Sequence, residues 1–308
     1  MPAYLKILVY LSAALMAGSL VAPPVYWLGQ NLAASGFSDW LAGFPFHRVL
    51  SRCLQVSLLL LLWPALRWIG LRRPSELGFQ SNPVALRDVV TGVLLAVACV
   101  ALVTAASLLT ACAEWRPNPD VAGIGRILLT ASAVSLIEEA VFRGVVLGVC
   151  LWSLSARASV VVSSVLFAVL HFLKPAKTRL PAEAVEWSSG LNGLFGFADS
   201  WPSPSVLAFG LASLLVAGWI LGQAAIRTRS LWLPIGLHAG WILGVQTGNL
   251  FLKLSASDAT GQLPWVGPSL VSGAVPTGLL PLAGLVLTGW LVRLYLAYVF
   301  RPAVPRAD

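Results

Sequence analysis

The chain has 308 residues, of which 58% are hydrophobic and only 10% charged, and its mean hydropathy is +0.84. Soluble domains carry nearer a quarter charged residues, so the composition excludes an ordinary soluble protein and predicts an all-α, polytopic integral membrane helix bundle. The net charge of +8 is scattered over short connections rather than gathered in a stripe. That speaks against a nucleic-acid partner and for orientation in, and contact with, a lipid bilayer.

A helix needs about 20 apolar residues to cross the hydrocarbon core. In chain order this predicts eight transmembrane helices, at 6–28, 49–70, 87–111, 126–152, 157–174, 204–226, 231–250 and 275–299. The first resembles a signal peptide, because Lys6 precedes its apolar run, but it continues through Pro23 and Pro24 to Leu28 and reads as a retained helix. The aromatic stretch from Phe37 to His47 reads as an interfacial segment. Between the fifth and sixth helices, residues 175–203 contain Pro175, Pro181, Gly190, Gly193, Gly196 and Pro202, the composition of a long surface loop or a lid. Cys53, Cys99, Cys112 and Cys150 have no metal-type spacing and read as small core residues without a disulfide framework. The organisation expected is an N-terminal segment 1–74 with two helices and the interfacial stretch, a core 75–250, and a C-terminal loop and last helix 251–308.

An even number of crossings puts both termini on one side. Cytosolic termini gather ten basic residues there, among them Lys6, Arg67, Arg72, Arg73, Arg301 and Arg306. Eight fall opposite, including Lys174, Lys177 and Arg179, so the expected orientation is cytosolic termini in the plasma membrane.

Three of the apolar helices are interrupted by groups that are costly at membrane depth. Glu138-Glu139-Ala140-Val141-Phe142-Arg143 interrupts the fourth, Phe167-Ala168-Val169-Leu170-His171 closes the fifth, and His238 interrupts the seventh. Such residues face a bundle interior or a wet cavity and mark function by default. Glu139 and Arg143 stand one helical turn apart and pair directly, whereas Glu138 points about 100° away with Phe142 as its neighbour. Glu138 is therefore the carboxylate left for water, and a histidine beside it would tune it as a general base. For Glu139–Arg143 a purely structural pair is as good a reading. His171 or His238 alone would be a helix-to-helix hydrogen bond; together with Glu138, on separate helices, they point to a site. Ser132, Ser135, Ser163 and Ser164 read as backbone-bonded helix serines. Gly144 and Gly148 form a small-xxx-small pair of ordinary membrane packing.

EEAVFRG at 138–144, FAVLH at 167–171 and PIGLH at 234–238 resemble, in order and on successive helices, the three motifs of the CPBP family. That family comprises the type II CAAX prenyl endopeptidases and the bacteriocin-processing or immunity (Abi) proteins, and its pattern is EExxxR, FxxxH, and a histidine followed four residues later by Asn or Asp. The resemblance covers roughly residues 75–250. It implies an intramembrane endopeptidase of glutamate or metallo type acting on a membrane-tethered peptide or protein. Carried onto this chain, Glu138 with His171 would activate the attacking water, His238 would stabilise the oxyanion, and Glu139 with Arg143 would support the site. Position 242 departs from the pattern, being Ile242, and Trp241 offers the nearest indole N–H. Asn249 returns to the His238 face about 16 Å along the helix. Glu138, His171 and His238 would also make a zinc ligand set with an open position, but metal-free water activation is the expectation, with no cofactor. Two other readings remain: a non-proteolytic membrane immunity or scaffold protein that keeps the motifs, which Ile242 favours, and a proton-coupled transporter using Glu138. No repeat halves or paired broken helices support the transporter.

Overall fold

The structure is a computed structural model and describes residues 3–37, 39–80, 82–119, 121–173, 175, 180–255, 262–268 and 277–299. Among these residues the α-helices are α1 (Ala3–Ala34), α2 (Phe46–Ile69), α3 (Ala85–Leu109), α4 (Ile124–Glu139), α5 (Leu147–Cys150), α6 (Ala156–Leu170), α7 (Ser189–Phe195), α8 (Pro204–Thr228), α9 (Trp232–Phe251) and α10 (Leu279–Val299). A π-helix, Ala140–Val146, joins α4 to α5. Two three-residue strands, β1 (Ala113–Trp115) and β2 (Leu252–Leu254), pair antiparallel. The basic residues Lys174, Lys177, Arg179, Arg301 and Arg306, which entered the orientation, lie outside the described residues.

An all-helical bundle follows from the bilayer, where every backbone N–H and C=O must be satisfied within its own segment. Among the described residues five helices are long and apolar enough to cross: α1 from Tyr4, α2, α3, α8 and α10. The other three of the eight sequence-predicted crossings are helical but do not meet that measure, and each has a reason. The α4 helix ends after 16 residues at the π-helix, and α6 has only 15 residues. The 20 residues of α9 are diluted by His238, Gln246, Asn249 and four glycines. These are the three elements that carry the motifs.

The chain forms two compact units, one of residues 1–72 and 169–201, the other of residues 73–168 and 202–308. In the first unit α1 and α2 run in close contact. At Gly18 a Cβ would stand 2.7 Å from the Leu54 Cα, and the Tyr10 hydroxyl donates to the Leu58 carbonyl at 2.6 Å. Ala22, Tyr26, Phe46 and Leu50 form its core. Gly70, left-handed at φ 108°, closes α2 and donates its N–H to the Leu66 carbonyl. The aromatic stretch divides: Asp39–Gly43 is a 3₁₀ turn, and His47 already belongs to the first turn of α2. The long insert is built rather than loose, with α7 flanked by the 3₁₀ turns Ala182–Ala184 and Gly196–Ser200. It seats on α1 and α2 through buried Val185, whose carbonyl accepts from Trp27 Nε1 at 3.2 Å, and through Gly190 and Gly193 against Ser19 and Leu50.

In the second unit α9 is held between α3 and α4. Its face toward α3 is a row of glycines at every fourth residue, Gly236, Gly240 and Gly244, over Val89, Val93 and Val100. Small residues let the two backbones approach, which is how helices associate without a hydrophobic driving force in lipid. A Cβ at Gly240 would stand 2.7 Å from the Val93 carbonyl, and one at Gly92 in α3 would stand 2.6 Å from the Leu237 N. His238 lies two residues from both Gly236 and Gly240, so at 100° per residue it points away from α3. Beneath, Leu221, Leu233, Leu237, Val292 and Leu296 bind α8, α9 and α10 into one core. Buried Asp88 ties the start of α3 to α10, accepting from the Tyr295 hydroxyl at 2.6 Å and from Asn82 Nδ2 at 3.1 Å. The strand pair, with Lys253 3.0 Å from Glu114, closes the other ends of α3 and α9.

Gly240→Leu is expected to lower the stability of the detergent-solubilised protein by roughly 3 kcal/mol, since a rigid carbonyl blocks the added atoms. A Cβ at Gly148 meets nothing within 4 Å. Gly148→Ala should therefore leave the melting point unchanged or raise it, by the roughly 0.5–1 kcal/mol that alanine gains over glycine within a helix. Equal losses in both variants would show that the glycine row is not what seats α9.

Candidate functional site

The site begins where α4 changes geometry. Directly after Glu138 and Glu139 the helix widens, and the Leu147 N–H donates to the Phe142 carbonyl five residues back. That same carbonyl accepts from Ser163 Oγ of α6 at 3.0 Å. Single π-turns inside α-helices recur at functional sites, because they redirect the side chains that follow. The turn Pro74–Leu77 lies against the widened segment at Gly144, where a Cβ would stand 2.7 Å from the Leu77 carbonyl. Gly144 thus admits a connecting turn, and Gly148 faces open space.

Arg143 Nη1 donates to Glu139 Oε1 at 2.8 Å, and both side chains are fully buried. Arg143 Nη2 also reaches the Gly218 carbonyl of α8 at 3.4 Å. Its guanidinium lies 4.5 Å from the centre of the Phe167 ring, a cation–π contact in a dry setting. His238 is buried; its Nδ1 stands 2.8 Å from the same Glu139 Oε1, and its Nε2 stands 3.8 Å from Glu138 Oε2. The Phe167 ring meets the imidazole edge-on at 5.9 Å and Phe142 edge-on at 5.1 Å. Glu138 keeps 28% of its side chain exposed, against 0% for Glu139. The two adjacent carboxylates therefore sit in different surroundings. One is clamped by an arginine and an imidazole, and the other reaches the surface of its unit beside an imidazole nitrogen.

Four of the five sequence-predicted site residues, Glu138, Glu139, Arg143 and His238, come together within this unit. His171 stands in the turn immediately after α6 and is half-buried, and its residue number falls in the first unit. Sequence reasoning saw Glu139 only as the partner of Arg143; its bond to His238 was not foreseen, nor was the place of Phe167 between cation and imidazole. The available signal was the phenylalanine that opens FAVLH, four residues before His171. Ser135 donates to the Ser132 carbonyl at 3.2 Å and Ser164 to the Val160 carbonyl at 2.7 Å, the helix-backbone bonds expected of them, whereas Ser163 reaches across to the Phe142 carbonyl. Trp241 packs against the core of α3, α8 and α10.

Among the described residues of this unit no three His, Cys, Asp or Glu side chains form a group suited to a metal ion. The donors there are one imidazole nitrogen already engaged by Glu139, and a second nitrogen facing a single carboxylate.

No curated protein and no solved structure matches the chain. Residues 120–243 match the family model for type II CAAX prenyl endopeptidase Rce1-like proteins. The matched stretch runs from the turn before α4 into α9 and includes Glu138, Glu139, Arg143, His171 and His238. Over residues 120–243 this integral membrane chain is thereby similar to the Rce1-like type II CAAX prenyl endopeptidases, a family of intramembrane proteases.

Proposed function

We propose that the protein hydrolyses a peptide bond of a membrane-tethered peptide or protein, in the plasma membrane and near the bilayer surface, with Glu138 as general base. The observation that carries this reading is the partly exposed Glu138 side chain, whose Oε2 has an imidazole nitrogen 3.8 Å away, in a segment that matches a protease family. A carboxylate in such surroundings takes a proton from water, the water oxygen attacks the carbonyl carbon, and the proton passes on to the leaving nitrogen. His238 supports the developing oxyanion, Glu139 and Arg143 hold the site, and His171 is assigned to the same water by its place in the sequence motif. The water is activated by these side chains without a metal or other cofactor.

The test is cleavage of membrane-tethered peptides by the purified protein in lipid vesicles, followed by mass spectrometry of the products. Activity should survive dialysis against a strong zinc chelator. Loss on chelation with recovery on added zinc would replace the metal-free mechanism by a metal-assisted one. No cleavage of any tethered peptide, prenylated or not, would favour the non-proteolytic reading that Ile242 suggests.

A further inference from the structure

Glu139 has more bonds than its ion pair requires. One oxygen, Oε1, takes both Arg143 Nη1 and His238 Nδ1, each at 2.8 Å, at a place where neither carboxylate nor guanidinium is exposed. The other oxygen, Oε2, is buried without a hydrogen-bond partner among the described residues. A carboxylate bonded to a guanidinium is an acceptor only. The hydrogen of the second bond must then lie on the imidazole, so it is Nδ1–H that donates. In a histidine, the bond made by one nitrogen decides the state of the other.

We propose that Glu139 is a positioning residue that fixes His238 as its Nδ1–H tautomer and turns Nε2 toward Glu138. The rest of the contact set serves the same end. Arg143 is held by the Gly218 carbonyl and by the Phe167 ring, and that ring closes the circuit by meeting the imidazole at 5.9 Å. Glu138 also faces the ring, on the Nε2 side, while α3 packs against α9 through Val89, Val93, Ala96 and Val100. In a neutral imidazole held this way Nε2 carries a lone pair. His238 then becomes an oxyanion donor only after Nε2 takes up a proton, and the one released by water to Glu138 is 3.8 Å away. That proton continues to the leaving nitrogen, so no other donor is needed and the reaction balances. This consequence rests on the protease reading; the tautomer itself does not.

The test is ¹⁵N NMR of the histidine-labelled protein, in which three histidines are separated by single replacement of His47 and His171. Wild-type His238 should show a protonated, strongly bonded Nδ1, with Nε2 unprotonated in the neutral ring. A bare Nδ1 with a proton on Nε2 overturns the proposal without any variant. The double variant Glu139→Met, Arg143→Met removes the acceptor and its counter-ion together, so no buried charge is stranded. Its His238 should shift toward the Nε2–H form, and kcat should fall by up to roughly 10⁴-fold with little change in KM, the size of a wrong-tautomer defect. An unchanged Nδ1 signal in that variant would leave the pair a purely structural one. If the wild-type tautomer is as proposed but no tethered peptide is ever cleaved, the protease reading fails and the positioning role stands.

Discussion

Glu138→Gln in the vesicle-reconstituted protein is expected to lower kcat by roughly 10²–10⁴-fold or to abolish detectable turnover, the range over which a positioned general base contributes. The replacement keeps the size and removes only the ability to take a proton. Folding should hardly register it, because 28% of the Glu138 side chain is exposed, against 0% for Glu139. A shift of the melting point equivalent to less than about 1 kcal/mol is expected, as for substitutions away from buried networks. The pairing of outcomes is the diagnostic: a lost rate with an intact melt assigns Glu138 to the chemistry. A collapsed melt would assign it to the framework, as the immunity or scaffold reading requires.

The opposite pattern is expected at Arg143. Arg143→Met leaves the Glu139 carboxylate buried with no cation, and stranding one member of a buried pair costs about 3–5 kcal/mol. That is a large part of what a whole domain has to lose. Thermal or denaturant unfolding of the solubilised protein should show it directly. Adding Glu139→Met to this variant should recover most of the stability, because a well-packed apolar pair of similar size is neutral or better. If Arg143→Met is tolerated without loss, the bond of Glu139 to the imidazole has to suffice to hold the carboxylate. A double variant no more stable than Arg143→Met would instead make the packing of Arg143 on Phe167 the dominant effect.

The contrast between these two residues was only half legible in the chain. The helical period puts Arg143 over Glu139 and turns Glu138 aside, so the division of labour between two adjacent carboxylates follows from spacing alone. His238 was a different matter. No periodicity says that a ring 99 residues away shares the oxygen that Arg143 already holds. Its direction depends on the glycine row of α9 pressing against α3, and that row reads in the sequence as mere small residues. The π-helix was also hidden, since nothing in Ala140–Val146 distinguishes a five-residue hydrogen bond from a four-residue one until Ser163 of the next helix competes for the Phe142 carbonyl.

Composition and hydrophobic periodicity by themselves determined that this is an all-helical membrane protein, and the three motifs pointed to the family whose model matches residues 120–243. They did so because both are local quantities: water is excluded from the bilayer residue by residue, and a motif is a fixed spacing. The tertiary structure decided which acid is clamped and which is open, which imidazole nitrogen faces it, and that the insert after α6 seats on α1 and α2. Those are matters of close packing between segments distant in the chain, where a carbonyl 2.7 Å from a missing Cβ settles what no spacing rule can.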